Sequence, residues 1–139
     1  MISIVCGKKG SGKTKKMIEL ANEAVKTAKG EIVFVDVKQR SAFNLHRDIR
    51  FVNVNEFSIR GRDKFLGFMN GLIAENYDID EIYVDNLLDI TNTNIYDLEL
   101  AFKDLEKIGE KYQVHFVFST NCDGNHLPDF IEKNIMAMI

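Results

Sequence analysis

Short apolar runs alternate along this chain with stretches in which apolar residues return every three or four positions. Ile2-Ser3-Ile4-Val5-Cys6 reads as a strand, and from Lys13 to about Lys29 the residues Met17, Ile18, Leu20, Ala21, Ala24, Val25 and Ala28 keep the period of an amphipathic helix. Gly30 is expected to end that helix, and Ile32-Val33-Phe34-Val35 to form a strand buried on both faces that finishes at Asp36. Strand, helix and strand make the βαβ unit of an α/β fold. A right-handed crossover then puts the segment after the first strand and Asp36 at the same carboxyl edge of a parallel sheet.

Residues 37–49 carry no clear period beyond one expected helical turn around Ala42 to His46, and Ile49 to Val54 reads as a short edge strand. Phe65, Leu66, Phe68, Met69, Leu72 and Ile73 mark one face of a second helix, as core residues and not as a ligand pocket. Glu81-Ile82-Tyr83-Val84 is an apolar strand closed by Asp85, and Leu87 to Asn94 reads as a loop. Thr93 or Asn94 is expected to cap a third helix whose buried face runs through Ile95, Leu98, Ala101, Phe102, Leu105, Ile108 and Tyr112. Val114 to Phe118 follows as a strand that ends in the polar group Ser119-Thr120-Asn121. Gly124 and Pro128 frame a turn, Asp129 to Lys133 a short helix, and Ile135 to Ile139 the last strand.

At 139 residues the sequence predicts a single domain, 1–139, large enough to bury roughly two thirds of its unfolded surface. No apolar stretch approaches the ~18 residues of a membrane helix, and Met1 leads directly into a strand with no basic leader. The expectation is a soluble, cytoplasmic protein with no membrane partner. Cys6 and Cys122 cannot make a four-thiolate zinc site and are expected to be reduced structural thiols. His46, His115 and His126 show no ligand spacing.

The net charge of −3 is split unevenly: residues 1–70 hold 14 Lys and Arg against 7 Asp and Glu, and residues 71–139 hold 4 against 14. Part of the positive excess, Arg40, Arg47, Arg50, Arg60 and Arg62, is scattered as on a solvated face, so nucleic acid is an unlikely partner. The rest gathers around Gly7-Lys8-Lys9-Gly10-Ser11-Gly12-Lys13-Thr14, which fits G-x-x-x-x-G-K-[ST] between a strand and a helix. Glycines let such a loop curl its N–H groups inward, and the following helix adds its N-terminal partial charge. A polyphosphate is the expected guest, with Lys13 on its β and γ phosphates and the Thr14 hydroxyl on Mg²⁺. No dinucleotide G-x-G-x-x-G can be written over Gly7, Gly10 and Gly12.

Asp85 at the end of its strand looks like the Walker B carboxylate that holds a magnesium-bound water. The Walker A loop Gly7 to Thr14, Asp85, and Ser119 to Asn121 after the following strand together resemble a P-loop NTPase, over the whole chain and in order. Within that superfamily the similarity is to the RecA-like branch. It implies a three-layer α/β/α fold with a mainly parallel sheet of about five strands in the order 5-1-4-3-2, the Ser119 strand lying between the loop strand and the Asp85 strand. The GTPase branch is disfavoured, since Asp85-Asn86-Leu87-Leu88 lacks the D-x-x-G glycine and Asn121-Cys122-Asp123 lacks the N-K-x-D lysine. Thymidine kinase is also similar over the loop, helix and second strand, but its zinc cysteines are missing and its Asp-Glu is Asp85-Asn86 here.

The resemblance implies ATP and Mg²⁺, with Thr14 and Asp85 as metal residues and Gly7 to Thr14 as the nucleotide-binding residues. It also implies a weak or partner-stimulated ATPase, a hydrolase in which Lys13, Asp85 and either Asp36 or Asn86 act on the attacking water. Many relatives carry glutamate at the position of Asn86, and an amide orients water without accepting its proton. No arginine can be assigned to the site from sequence, which points to a protein partner or self-association. Two other readings stand beside this one. One is a nucleotide-dependent switch with little hydrolysis; the other is a small-molecule or nucleoside kinase whose lid and acceptor pocket would come from residues 40–62.

Overall fold

A computed structural model describes residues 1–122 and 126–139 of the chain; Gly124, expected in a turn with Pro128, lies outside them. The strands are β1 (Ile2–Gly7), β2 (Glu31–Asp36), β3 (Arg50–Asn53), β4 (Ile79–Val84), β5 (His115–Asn121) and β6 (Ile135–Met138). Between them run α1 (Lys13–Val25), α2 (Arg62–Glu75), α3 (Leu87–Thr91), α4 (Glu99–Tyr112) and α5 (Asp129–Glu132), with 3₁₀ turns at Gln39–Asn44, Val54–Phe57 and Ile95–Leu98.

All six strands join one parallel sheet in the order β3-β2-β4-β5-β1-β6. Neither the count nor the order is the expected five-strand 5-1-4-3-2, because β3 pairs with β2 over Val33 to Asp36 and adds a strand outside it. Successive residues of each strand feed opposite faces, as the pleat requires. Val5, Ile32, Phe34, Tyr83 and Val117 pack with Met17 and Ala21 of α1 on one face. Ile4, Val35, Ile82, Val84 and Phe118 pack on the other, with Phe65, Met69 and Ile73 of α2, Leu87 and Ile90 of α3, and Phe102 and Leu105 of α4. Helices therefore cover the sheet on both sides.

Several boundaries differ from the sequence reading, each for a local reason. Helix α1 stops at Val25, and Gly30 serves close packing instead of ending it. A Cβ at Gly30 would sit 1.9 Å from the Asp78 carbonyl oxygen, and Asp80 Oδ2 accepts from the Lys29 and Gly30 N–H groups. The helical turn expected at Ala42 to His46 is instead the 3₁₀ turn Gln39–Asn44. Leu87 to Asn94 is not all loop. Leu87, Ile90 and Thr91 fall at i, i+3 and i+4 and are buried, and Thr91 Oγ1 donates to the Leu87 carbonyl at 2.9 Å, closing the short helix α3. Asn94, one of the two expected caps, accepts from the Tyr96 N–H and opens a 3₁₀ turn that leads into α4. Ser119 to Asn121 belong to β5 itself, because Val5, Cys6 and Gly7 of β1 supply partners that far.

The same pairing overturns the expectation of free thiols. Cys6 lies opposite Thr120, which brings Cys122 within reach, and the two cysteines form a disulfide with Cα atoms 5.3 Å apart. Among the described residues no helix is long and apolar enough to cross a membrane.

Candidate functional site

Because all strands run the same way, the segments after β1, β2, β4 and β5 emerge on one rim of the sheet, where ligands of open α/β sheets bind. A cleft of about 560 Å³ opens there. It is lined by Lys9, Gly10, Gly12, Lys13 and Thr14 of the loop after β1, by Lys38 and Arg40 after β2, by Asn86 and Asp89 after β4, and by Asn121 at the end of β5.

The loop needs its glycines. Gly10 and Gly12 take φ of +78° and +100°, values that side chains rarely tolerate, and a Cβ on Gly7 would lie 2.5 Å from Ser11 Oγ. Ser11 Oγ is the one buried side-chain polar atom without a hydrogen-bond partner among the described residues. The Lys13 ammonium folds over the loop and donates to the Lys8 carbonyl at 2.9 Å. Lys9, Lys38 and Arg40 make no ion pair and no side-chain hydrogen bond among the described residues, so the cleft presents three cations that those residues leave unpaired.

Asp85 is fully buried and does not itself line the cleft; it lies one hydrogen bond behind Thr14, which does. Thr14 Oγ1 donates to its Oδ2 at 2.5 Å, and the Ser119 hydroxyl donates to its Oδ1. The loop, the Asp85 strand and the Ser119 strand are thus tied at one carboxylate. Ser119 Oγ in turn accepts from the Asn86 N–H at 2.9 Å, which helps hold Asn86 in a left-handed conformation, φ +61°, ahead of α3. The Asn86 amide donates to Asp36 Oδ1 at 2.9 Å.

Asp36 is also fully buried, and it does not line the cleft. The Val37 N–H donates to its Oδ1 at 2.6 Å and the Ser41 hydroxyl to its Oδ2 at 2.6 Å. Burial, with Asp85's charge adding to it, pushes the Asp36 carboxyl above its ordinary value, while hydrogen bonds from Ser41, Asn86 and Val37 work against the shift. A raised value in the folded state means that the fold holds the proton more tightly than the unfolded chain does. The associated stability is present below the unfolded value and is lost as pH rises through the folded one. In metal-free protein, wild type should therefore lose stability relative to Asp36→Asn as pH rises above the ordinary carboxylate value of 3.8. Urea unfolding of both proteins from that value upward checks the sign, and parallel curves would contradict it.

Of the expected residues, Lys9, Gly10, Gly12, Lys13, Thr14 and Asn86 line the cleft, Asp85 lies one hydrogen bond behind Thr14 and Asp36 one behind Asn86, while Gly7, Lys8 and Ser11 belong to the loop without lining the cleft. Lys38, Arg40 and Asp89 were not found as cleft residues by sequence reasoning. Lys38 follows Asp36 by two positions and Asp89 follows Asp85 by four, spacings that are visible in hindsight but point nowhere without the fold. Of the remaining arginines, Arg60 donates to Asn92 and Arg62 to the Asp97 carbonyl, away from the loop. His115 sits between Ser3 and Glu81, His46 is bonded to the Asp48 N–H, and among the described residues no group of three or more His, Cys, Asp or Glu could hold a metal.

The donor set nevertheless suits magnesium carried by phosphate. One carboxylate and one hydroxyl oxygen in contact are what such an ion takes from a protein when phosphates and waters supply the rest. A scan against models of known protein families finds no match to this sequence, and a comparison with curated proteins finds none either.

Proposed function

We propose that this protein binds Mg²⁺-ATP in the rim cleft and hydrolyses it slowly, as a P-loop NTPase of the RecA-like branch. The observation that carries the reading is the 2.5 Å contact between the buried carboxylate of Asp85 and Thr14 of the glycine loop, which lines the cleft beside cations that make no ion pair among the described residues. The RecA-like assignment is supported by the strand that bears Ser119, which pairs with both β1 and β4.

The roles follow from chemistry. Glycine-loop N–H groups and Lys13 hold the phosphates, and Thr14 and Asp85 hold the ion, Asp85 through a water. The ion, when bound, neutralises charge developing on the phosphate oxygens. Of the two residues proposed to handle the water, Asn86 borders the cleft and can orient it, while Asp36 lies behind and holds the Asn86 amide. Lys38 and Arg40 bring cations in cis to a site whose other cations, Lys9 and Lys13, both belong to the glycine loop.

A nucleotide-dependent switch is the second reading, favoured by one feature. Hydrogen bonds run without a break from Thr14 through Asp85, Ser119, Asn86 and Asp36 to Ser41, in the 3₁₀ turn that carries Arg40. A change at the metal site has a path to the surface there.

Titration calorimetry with Mg²⁺-ADP and a non-hydrolysable ATP analogue tests the binding. Lys13→Ala removes a charge-assisted contact of roughly 1.5–3 kcal/mol, so affinity should fall about 10- to 150-fold. Equal affinity in wild type and Lys13→Ala would remove the phosphate-loop reading.

A further inference from the structure

Hydrolysis needs an acceptor for the proton of the attacking water, and none of the groups assigned so far can be one. The Asn86 amide accepts no proton at neutral pH. Asp85 is fully buried with both oxygens taken by the hydroxyls of Thr14 and Ser119. Asp36 is fully buried, with its oxygens taken by Val37, Ser41 and Asn86.

We propose that Asp89 is the general base of this site. The proposal rests on the ATP-hydrolysis reading above and adds to it a residue on α3. Asp89 is exposed, makes no hydrogen bond or ion pair among the described residues, and borders the cleft together with Lys13, Thr14 and Asn86. It also borders a second cavity of about 170 Å³ lined by Val37, Ile59 and Arg60, and is the residue that this cavity and the cleft share.

Its position is held from below. Leu87, Ile90 and Thr91 bury the other side of α3, the Thr91 hydroxyl bonds the Leu87 carbonyl, and the Gly61 N–H donates to the Ile90 carbonyl at 2.8 Å. So anchored a turn holds the backbone of Asp89 beside the cleft, within hydrogen-bond reach of which a general base must stand. Asn86 in its left-handed conformation is the bend that turns the chain from β4 into α3.

The step balances. A water oxygen forms a bond to the γ phosphorus as the bond from that phosphorus to the β–γ bridging oxygen breaks. The electron pair stays on the departing ADP. The water's proton passes to Asp89 and from there to solvent, so the products are ADP, inorganic phosphate and one proton. Asn86 orients the water and Asp89 takes its proton, dividing between two residues the work that one glutamate performs elsewhere.

The test is single-turnover hydrolysis of Mg²⁺-ATP by the full chain, beside the affinity of wild type, Asp89→Asn and Asp89→Glu for a non-hydrolysable analogue. Asp89→Asn should slow the chemical step by about 10²–10⁴-fold. Affinity should be unchanged or tighter, because a negative charge leaves a phosphate cleft, and Asp89→Glu should keep part of the rate. A wild-type rate in Asp89→Asn overturns the proposal and leaves nucleotide binding intact. So does a wild type that binds nucleotide without hydrolysing it, or a parallel loss of affinity in both variants. A wild type that binds no nucleotide removes the proposal together with the reading beneath it.

Discussion

Phe118→Ala should destabilise this protein by about 3–5 kcal/mol, the range for removing a fully buried phenylalanine. Phe118 has no exposed surface and sits on β5, with β1 on one side and β4 on the other. Its ring meets Phe65 of α2 edge-on at 6.1 Å, Phe102 of α4 at 5.5 Å and Phe116 of its own strand at 5.8 Å. Two helices thus lose one contact point, and the surrounding backbone is tied into the sheet and cannot close the gap. Domains of this kind are stable by only about 5–15 kcal/mol, so the substitution removes a large share. Urea unfolding followed by circular dichroism measures it; a loss under about 1 kcal/mol would show that the ring is not the centre of this core.

Breaking the Cys6–Cys122 bond should cost a comparable amount. The bond closes a loop over a sequence separation of 116 residues, and chain-entropy arguments give about 4.7 kcal/mol for a loop near 100 residues, with about 2–4 kcal/mol typical in practice. Cys6 is fully buried and Cys122 is half-buried, so Cys122→Ser removes the link without opening a cavity. The variant and the reduced wild type should unfold at the same, lower denaturant concentration. Unfolding midpoints that do not respond to reductant, with two titratable thiols before and after, would contradict the bond.

Much of the fold was legible because its strands are short, apolar and spaced by helices with a clear period. Phe65, Met69 and Ile73 announced α2, and Gly7 to Thr14 announced the loop between β1 and α1. What escaped was decided by neighbours distant in sequence. Five residues are too few to show a helical period, so the sequence alone reads α3 as loop, and only the burial of Leu87, Ile90 and Thr91 in the fold reveals it. Ser119 and Thr120 look like a polar terminus, yet β5 carries them because β1 continues beside them. The disulfide depends wholly on that pairing. The cleft was legible on its glycine-loop side, where residue types follow a motif, and not on its other side, where Lys38, Arg40 and Asp89 occupy segments with no period of their own.

The place of β1 in the sheet has a consequence for how the protein is made. Its two neighbours are β5 and β6, the last two strands of the sequence, whereas β2, β3 and β4 pair among themselves and with β5. On a translating ribosome the glycine loop therefore emerges early and stays without a frame until β5 has followed. On the nucleotide-binding reading proposed above, nucleotide can guide only the final docking of the chain and not its earlier steps, and a nascent chain halted before His115 would carry the whole glycine loop without the sheet to shape it.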